Sequence, residues 1–414
     1  MMSDNQESAF NKYLDGENVF ITGQGGTGKS YFIKKIYEDS IKKGKNINVT
    51  ALTGCAALLL DCKATTIHYW SGIGMGNLNV DDSIYQISKY KKRKNWINCD
   101  ILIIDEVSML SSEIFELLDN IGKKIRKNKK PFGGIQLIFS GDFHQLPPIS
   151  YNKFCFEIQL WSECFKNEVL FTKNYRQNDD EDYKNILTEI RNECLSDKSK
   201  DLLLQCINKK NPDNIEPTIL VPVKKLSDKI NQEKNNNING KSKTYKISFI
   251  KKCSKIIELE LLKQRKSIII EDVLDLKIGS QVMCIINLDQ ENGIINGSQG
   301  KVINFNDKDE PIVKFFYNNI IKTISINNWL NDKYNDNGIK QIPLILSWSI
   351  TIHKSQGITL EYANINIGQN VFECGQSYVA LSRVKSLQGL YIKDIDFNKI
   401  RANKKVVNYY SKFN

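Results

Sequence analysis

Gly23 to Ser30 reads GQGGTGKS and directly follows the apolar run Val19 to Thr22. Apolar residues then recur at helical spacing until Gly44: Phe32, Ile33, Ile36, Tyr37 and Ile41. A glycine-rich turn between a buried strand and a helix lets backbone amides and the helix N-terminus surround phosphate groups. The segment therefore predicts an α/β fold whose first turn binds a nucleotide.

Three further apolar runs end in polar turns. They are Asn48 to Leu52 before Thr53-Gly54, Ile101 to Ile104 before Asp105-Glu106, and Ile135 to Phe139 before Ser140-Gly141-Asp142. Runs that are apolar throughout are typical of strands buried on both faces of a parallel sheet. Because ligands of open α/β sheets collect at the carboxyl ends of the strands, the four turns are predicted to share one functional edge.

The first and third turns carry the residues expected for nucleotide hydrolysis. Lys29 is predicted to reach the β- and γ-phosphates of ATP, and Ser30 to hold Mg²⁺. Asp105 would complete the magnesium shell, usually through water, and Glu106 would polarise the attacking water. Asp105 could alternatively serve only as a helix N-cap.

The fourth turn continues as Ser140 to Pro148, SGDFHQLPP, in which Gln145 can sense the γ-phosphate while its neighbours face a second ligand. The three histidines, His68, His144 and His353, all lie in polar segments with aromatic or basic neighbours. Each could be structural, but together they indicate a ligand track. No metal-ligand spacing links them, so Mg²⁺ is the metal that we expect.

Two arginines follow the first domain, Arg176 in NYRQ and Arg383 in YVALSRV. From these positions each would have to reach across a cleft to neutralise the charge that develops on the γ-phosphate. Taken alone, each could equally be a surface ion-pair residue.

A second α/β pattern begins after about residue 173 and is interrupted. Its predicted strands are Thr218 to Val221, Ala363 to Ile367 and Gly389 to Lys393. Between them, turn signals separate short β-rich pieces such as Gln281 to Ile286 and Gly300 to Phe305, which predicts a small inserted barrel or sheet. We therefore expect a first domain at 1–172 with a short insertion at about 76–97, a second domain at 173–240 and 341–414, and a β-barrel-like insertion at 241–340.

Composition limits the partners and the compartment. The chain has 58 Lys and Arg against 47 Asp and Glu, and the net charge of +11 favours a polyanionic partner. The basic runs Lys91 to Lys94 and Lys123 to Lys130 could also be simple solvated faces.

The ten cysteines are scattered, which predicts reduced and mostly buried thiols. No apolar run approaches the ~18 residues of a membrane span, and the first ten residues resemble no import signal. We expect an intracellular protein, in the cytoplasm or the nucleus.

The order of the motifs resembles the superfamily-one DNA helicases of the PIF type (petite integration frequency), relatives of RecD-like and phage Dda enzymes. The resemblance covers nearly the whole chain and rests on nine features in one order: Gln6, GQGGTGKS, Thr53-Gly54 with TTIH, IIDEVSML, GDFHQLPP, NYRQ with DYKNILTEIR (Asp182 to Arg191), GSQVMCIINLDQENGIINGSQGKVINF, LSWSITIHKSQGITLE and YVALSRV. One departure is Tyr69-Trp70, where the family commonly has a small residue and then an aromatic one. The short 76–97 segment leaves room for only a wedge-like hairpin or loop.

The resemblance implies two RecA-like P-loop domains with parallel sheets, ATP bound between them, and single-stranded DNA across both. It places Lys29, Glu106, Gln145, Arg176 and Arg383 on catalytic positions, and Ser30 and Asp105 on magnesium. Further nucleotide-binding positions would be Gln6, which resembles an adenine-reading glutamine, Gly23, Gln24, Gly25, Gly26, Thr27, Gly28 and Gly357. Positions on or beside the DNA track would be Thr53, His68, His144, Pro147, Thr351, His353, Lys354 and Ser355.

The implied function is ATP-dependent 5′-to-3′ unwinding of DNA by a monomer that binds single strands and duplex junctions. Protein partners cannot be inferred from the chain. Two alternatives stay open at this point. The first is an RNA or RNA–DNA helicase, since the motor motifs do not read the sugar. The second is an ATP-switched nucleic-acid clamp that binds and releases without processive unwinding.

Overall fold

The computed structural model describes every residue except 1, 61, 75, 149–152, 178–179, 208, 211–215, 265–269, 290, 317–318, 331–336, 370 and 414. The chain divides into two compact units. Unit 1 consists of Met1–Glu181, Glu373–Gly375 and Ala402–Asn414, and unit 2 consists of Asp182–Phe372 and Gln376–Arg401.

Unit 1 is an α/β domain. Its elements up to residue 181 are, in chain order, α1 (Asp4–Leu14), β1 (Val19–Gly23), α2 (Lys29–Lys42), β2 (Ile47–Ala51), α3 (Gly54–Leu59), β3 (Thr65–Thr66), α4 (Ile67–Ser71), α5 (Val80–Lys89), α6 (Arg93–Asn98), β4 (Ile101–Asp105), α7 (Ser112–Arg126), β5 (Gln136–Gly141), α8 (Gln159–Cys164) and β6 (Asn167–Phe171). All six strands are parallel and lie in the order β3-β2-β4-β5-β1-β6. The predicted parallel sheet is therefore confirmed, with its four polar turns at one edge.

Apolar side chains cover both faces of this sheet. Every residue of β1 and β4 is buried, as expected for strands that are apolar throughout. One face packs on α1 and α2, where Phe32 and Ile36 are fully buried. The other face packs on α7 and α8 through an aromatic cluster that includes Phe115 and Trp161. Two buried faces hold the strand ends rigidly, and the strand ends carry the site.

Unit 2 contains a smaller parallel sheet and a β-rich insertion. Its elements are α9 (Glu181–Arg191), α10 (Asp197–Gln205), β7 (Thr218–Val221), α11 (Lys224–Asn236), β8 (Lys243–Lys246), β9 (Ser248–Phe249), α12 (Lys255–Gln264), β10 (Val273–Leu276), β11 (Gln281–Cys284), β12 (Gln299–Phe305), β13 (Pro311–Phe315), β14 (Ile321–Thr323), β15 (Asn327–Leu330), β16 (Gly338–Gln341), β17 (Leu344–Leu346), β18 (Ser349–Thr351), β19 (Ala363–Ile367), α13 (Gln376–Leu381) and β20 (Leu390–Ile395). The parallel sheet has the order β18-β7-β19-β20. The strands predicted for this domain are all present.

The insertion differs in detail from the predicted barrel. Its strands form an antiparallel pair β10-β8, an antiparallel sheet β14-β13-β12-β11-β17 and an antiparallel sheet β15-β16-β9. Within the described residues the two end strands of the five-stranded sheet do not pair, so the insertion is a set of small sheets rather than a closed barrel. The five-stranded sheet and the β10-β8 pair share one apolar core. The last strand, β17, lies beyond the predicted boundary at 340.

Two predicted segments need correction. The 76–97 segment is not a hairpin or loop, because it holds α5 and α6, and Trp96 of α6 is buried against Trp70 with ring centroids 4.8 Å apart. The first domain does not end at residue 172, because the boundary falls after Glu181 and the chain returns to unit 1 at Ala402. The returning segment contains α14 (Lys404–Tyr410).

The nine cysteines with described side chains are free thiols, six of them buried. Burial raises the pKa of Cys99 to about 12, which keeps its thiol protonated and unreactive. Among the described residues, every helix is too short or too polar to cross a membrane.

Candidate active site

The glycine-rich loop joins β1 to the N-terminus of α2. The ammonium of Lys29 lies 2.7 Å from the carbonyl oxygen of Gly23 and 2.9 Å from that of Gln24, so its charge is held over the loop. Gly26 and Gly28 adopt left-handed backbone angles, with φ of 91° and 83°. A Cβ on Gly26 would stand 2.4 Å from Cβ of Arg176. Only glycine fits there, which explains the motif in steric terms.

Gln6 braces the loop from α1. Its side chain is buried, its Nε2 donates to the carbonyl of Thr27 at 3.3 Å, and its Oε1 accepts from the backbone of Ser3 at 3.0 Å. Thr27 in turn donates its hydroxyl to the carbonyl of Gln24. Gln6 therefore links α1 to the phosphate loop. Its role in reading adenine stays a prediction.

The acidic pair closes β4 next to this loop. Asp105 is buried, and burial raises the pKa of its carboxyl although the nearby charge of Lys29 lowers it. Glu106 is half-buried and has a left-handed backbone with φ of 58°, an unfavourable conformation for a residue with a side chain. Gly141 at the end of β5 permits this turn, because a Cβ there would lie 2.9 Å from the backbone nitrogen of Val107.

Arg176 does not reach in from beyond the first domain, which corrects its predicted position. It belongs to unit 1 and lies in a turn that packs directly on the glycine-rich loop. The backbone of Tyr175 donates to the carbonyl of Gly26 at 2.8 Å. The buried side chain of Asn174 donates to the carbonyl of Gly25 at 3.3 Å and accepts from the backbone of Arg176 at 2.9 Å.

Asn174 is thus a site residue that the sequence reasoning missed. It fixes the arginine turn to the phosphate loop, although its only signal in the sequence is its place just before Tyr175-Arg176. Its amide makes contacts on both sides of the turn, and a buried polar side chain with such contacts orders the backbone around it.

The turn after β5 is more buried than a surface track would be. Asp142 accepts from the backbone of His144 at 3.2 Å, and the backbone of Gln145 donates to the carbonyl of Asp142 at 2.9 Å. His144 is only 6% exposed and its ring lies 4.7 Å from that of Tyr410. Gln145 and Pro147 are also buried. The predicted DNA contact of His144 is therefore covered by α14 in this structure.

Two threonines at the same sheet edge cap short helices. Thr53 accepts from the backbone of Ala56 and begins α3, and Thr66 accepts from the backbone of Tyr69 and begins α4. His68 in α4 is half-buried, and burial lowers its pKa, so the ring is neutral near pH 7. A neutral imidazole can hydrogen-bond to a nucleic acid but contributes no ionic attraction.

The departure at Tyr69-Trp70 has a structural reason. Trp70 packs on Trp96 of α6, and the indole N–H of Trp96 donates to the backbone carbonyl of Ser71 at 2.9 Å. The ammonium of Lys92 lies 3.6 Å from the centre of the Tyr69 ring, a cation–π contact. The two large residues therefore hold α6, and Lys92 just before it, against α4.

Unit 2 carries its own polar turn at the end of β18. Thr351 accepts from the backbone of Lys354 at 3.2 Å, and the buried hydroxyl of Ser355 donates to the carbonyl of Ile352 at 2.8 Å. His353 is exposed and Lys354 is half-buried. Gly357 ends the turn with φ of 81°. Of the predicted DNA residues in this turn, His353 and Lys354 are the two that offer surface to a ligand.

Arg383 is buried within unit 2, at 2% exposure. Its Nε donates to the carbonyl of Val379 at 2.9 Å and one terminal nitrogen donates to the hydroxyl of Ser382 at 2.7 Å. The other terminal nitrogen lies 3.5 Å from the carbonyl of Ser355. Arg383 is therefore not a surface ion-pair residue, and it connects the helix α13 to the turn that carries His353.

Comparison with known proteins agrees with this arrangement. The family model for PIF1-like helicases matches residues 1–200, and the model for the 2B domain of DNA helicase Pif1 matches residues 264–305. The ATP-dependent DNA helicase PIF1 of Xenopus laevis is 36% identical over 99% of this chain, and that of Homo sapiens is 32% identical over 99%. The chain spans only 64% and 63% of the length of these relatives.

Solved structures give the same result over the full length. The crystal structure of Pif1 helicase from Candida albicans matches with a TM-score of 0.82 and 32% identity, covering 100% of both chains. Bacteroides sp Pif1 in complex with ADP-AlF4 matches with a TM-score of 0.83 and 28% identity, covering all of this chain and 97% of that one. The two RecA-like domains that the motifs predict are thereby confirmed, and the chain belongs to the PIF1-like helicase family.

Proposed function

We propose that this protein is an ATP-dependent DNA helicase that moves 5′ to 3′ on single-stranded DNA as a monomer. The observation that carries the proposal is the arrangement at one edge of the parallel sheet. There the charge of Lys29 is close enough to lower the pKa of the buried acid Asp105, and Glu106 follows Asp105 in the chain. The relatives whose sequence similarity extends over 99% of this chain are named ATP-dependent DNA helicases.

Within this proposal, hydrolysis uses groups that unit 1 already holds in place. The loop amides and Lys29 bind the phosphates, which leaves the γ-phosphate near the turn of Gln145. Glu106 orients water for attack, and Arg176 neutralises the charge that grows on the phosphate oxygens. The strained backbone of Glu106 supports this role, since strain that the surroundings maintain is typical of active sites.

The residues at the loop also fit a magnesium ion. Asp105 is a buried carboxyl whose pKa is raised by burial, so a cation beside it would relieve the cost of its ionisation. The hydroxyl of Ser30 and the carboxylate of Asp105 are oxygen donors of the kind that Mg²⁺ prefers. When bound, the ion would neutralise phosphate charge. Asp105 and Ser30 would be the residues that hold it.

DNA binding is proposed for the exposed turn of unit 2. His353→Ala combined with Lys354→Ala should lower DNA-stimulated ATP hydrolysis roughly tenfold at subsaturating DNA, because a lost charged hydrogen bond costs about that factor. Basal hydrolysis should stay unchanged. The measurement is the ATPase rate against single-stranded DNA concentration. Lys393→Ala, which changes an exposed lysine on β20 of the same unit, is the control. Equal loss in both variants would argue against the turn as a DNA contact.

The direction of movement is the sharpest test of the helicase proposal. We expect strand displacement from duplexes with a 5′ single-stranded tail and at least ~10-fold slower displacement with a 3′ tail, one factor of ten being about 1.4 kcal/mol in the barrier. The measurement is release of a labelled strand with ATP, with matched DNA and RNA tails. Hydrolysis without displacement on any substrate would favour a nucleic-acid clamp, and faster displacement on RNA would favour an RNA helicase.

A further inference from the structure

The helix α14 places the hydroxyl of Tyr410 between the carboxyl ends of β1 and β5, the strands that lead into the loops of the proposed ATP site. Tyr410, the last residue of α14, is 8% exposed. Its hydroxyl accepts the backbone N–H of Phe143 at 3.1 Å and lies within hydrogen-bond distance of the hydroxyl of Thr22. Thr22 and Phe143 are themselves buried, at 0% and 2% exposure.

Both partners of the hydroxyl lie next to segments of the proposed ATP site. Thr22 immediately precedes Gly23, where the phosphate loop begins, and Phe143 lies two residues before Gln145. β1 and β5 are parallel neighbours in the sheet, with Thr22 in register with Gly141. The Tyr410 hydroxyl therefore bridges the carboxyl ends of both strands. Among the described pairs, β1 and β5 are last in register at Thr22 and Gly141, whereas β1 stays paired with β6 through Gly23, so the bridge adds a constraint between β1 and β5 where their own pairing stops.

The ring of Tyr410 makes a second kind of contact. It packs on the ring of His144 with centroids 4.7 Å apart and planes 33° from parallel. One side chain thus touches the start of the phosphate loop and the turn that holds both His144 and Gln145. A shift of Thr22 or of Phe143 would therefore change a hydrogen bond of the Tyr410 hydroxyl.

The rest of α14 is fixed independently of this hydroxyl. The neighbouring ring of Tyr409 stacks on Phe156 at 4.3 Å, and its hydroxyl donates to Glu168 at 3.0 Å. Lys405 pairs with Glu157 at 2.6 Å, and Lys412, two residues after the end of α14, pairs with Glu168. Removing the Tyr410 hydroxyl alone should leave the helix attached to unit 1.

We propose that Tyr410 is a positioning residue for ATP hydrolysis, acting through its hydroxyl on Thr22 and on the backbone of Phe143. The inference rests on the proposed ATPase function. A buried N–H without a partner is costly, so loss of the hydroxyl would let the 143–145 turn move to find one. Small displacements of catalytic groups reduce turnover strongly while leaving phosphate binding by the glycine-rich loop intact.

The test compares Tyr410→Phe with Tyr409→Phe. Both variants lose one hydrogen-bonded hydroxyl from the same helix, but only the first loses a contact to the site. We expect Tyr410→Phe to lower kcat for DNA-stimulated ATP hydrolysis roughly tenfold with little change in the KM for ATP. Tyr409→Phe should hydrolyse ATP like the wild type, and thermal unfolding of both variants reports any loss of fold.

A second variant approaches the same contact from the other side. Thr22→Val keeps the side-chain shape and removes its hydroxyl. Combined with Tyr410→Phe, it should lower kcat less than the product of the two single effects, because both changes break one hydrogen bond. Fully multiplicative effects would overturn the inference, as would equal turnover of Tyr410→Phe and Tyr409→Phe in an active enzyme. A wild-type protein without ATPase activity would reject the proposed function and this inference together.

Discussion

Lys29→Ala should lower ATP hydrolysis at least ~10³-fold, the order of loss seen when a preorganised charge at a phosphoryl-transfer site is removed. The ammonium is held over the glycine-rich loop by the carbonyls of Gly23 and Gln24. Alanine keeps the helical backbone at the start of α2 but removes the charge that the developing phosphate oxygens require. The measurement is the steady-state ATPase rate at saturating ATP and single-stranded DNA, with binding of a fluorescent ATP analogue followed in parallel.

The matched control is Lys35→Ala. Lys35 lies on the same helix, is partly exposed and pairs with Glu38 at 3.0 Å, away from the loop. An exposed pair of this kind contributes little to stability, so this variant should fold and hydrolyse ATP normally. A Lys29→Ala enzyme that retains more than about a tenth of wild-type turnover would refute the assigned role of the lysine in transition-state stabilisation.

Much of unit 1 was predictable because its signals are local. The strands of a sheet buried on both faces are continuous apolar runs, and each run here ends in a polar turn within one or two residues of the observed strand end. Parallel strands place their carboxyl ends at one edge. The sequence alone therefore predicts that Lys29 and Asp105 lie at the same edge of the sheet.

What could not be predicted depends on partners far apart in the chain. The position of Arg176 follows from its turn packing on Gly26, and no local pattern encodes that contact. The return of α14 to unit 1 depends on Tyr410 meeting Thr22, 388 positions earlier. The helices α5 and α6 are short and are held by distant partners: Trp96 of α6 packs on Trp70, and Ile87 of α5 is buried in the same apolar core. Short segments take their structure from such packing more than from their own propensity.

Burial also distinguishes predicted site residues that the sequence alone does not. His68, His144 and His353 look alike in sequence, as single histidines in polar segments. In the structure His353 is exposed, His68 is half-buried with a lowered pKa, and His144 is buried with its ring against that of Tyr410. The three therefore differ in what they can offer a nucleic acid. Side-chain exposure of this kind is set by tertiary packing, which a motif does not record.

Arg176→Ala should lower kcat for ATP hydrolysis by ~10³-fold with a much smaller rise in the KM for ATP, as expected for an arginine that acts on the transition state. The turn around Arg176 is fixed to the glycine-rich loop through Asn174, so unit 1 itself holds the arginine turn against that loop. Arg176→Lys should recover only part of the loss, because an ammonium lacks the planar fork of the guanidinium. The measurement is the full dependence of the ATPase rate on ATP concentration at saturating single-stranded DNA.

Lys173→Ala is the control, since it removes an exposed positive charge three residues earlier, where the lysine lies over the ring of Tyr175. It should leave kcat near the wild-type value, which separates the specific effect of Arg176 from a general loss of positive charge near the loop. Thermal unfolding of each variant corrects the rates for the folded fraction. If Arg176→Ala turns over normally per folded molecule, the arginine serves only to pack the turn, and transition-state stabilisation must come from other groups such as Lys29 and the loop amides.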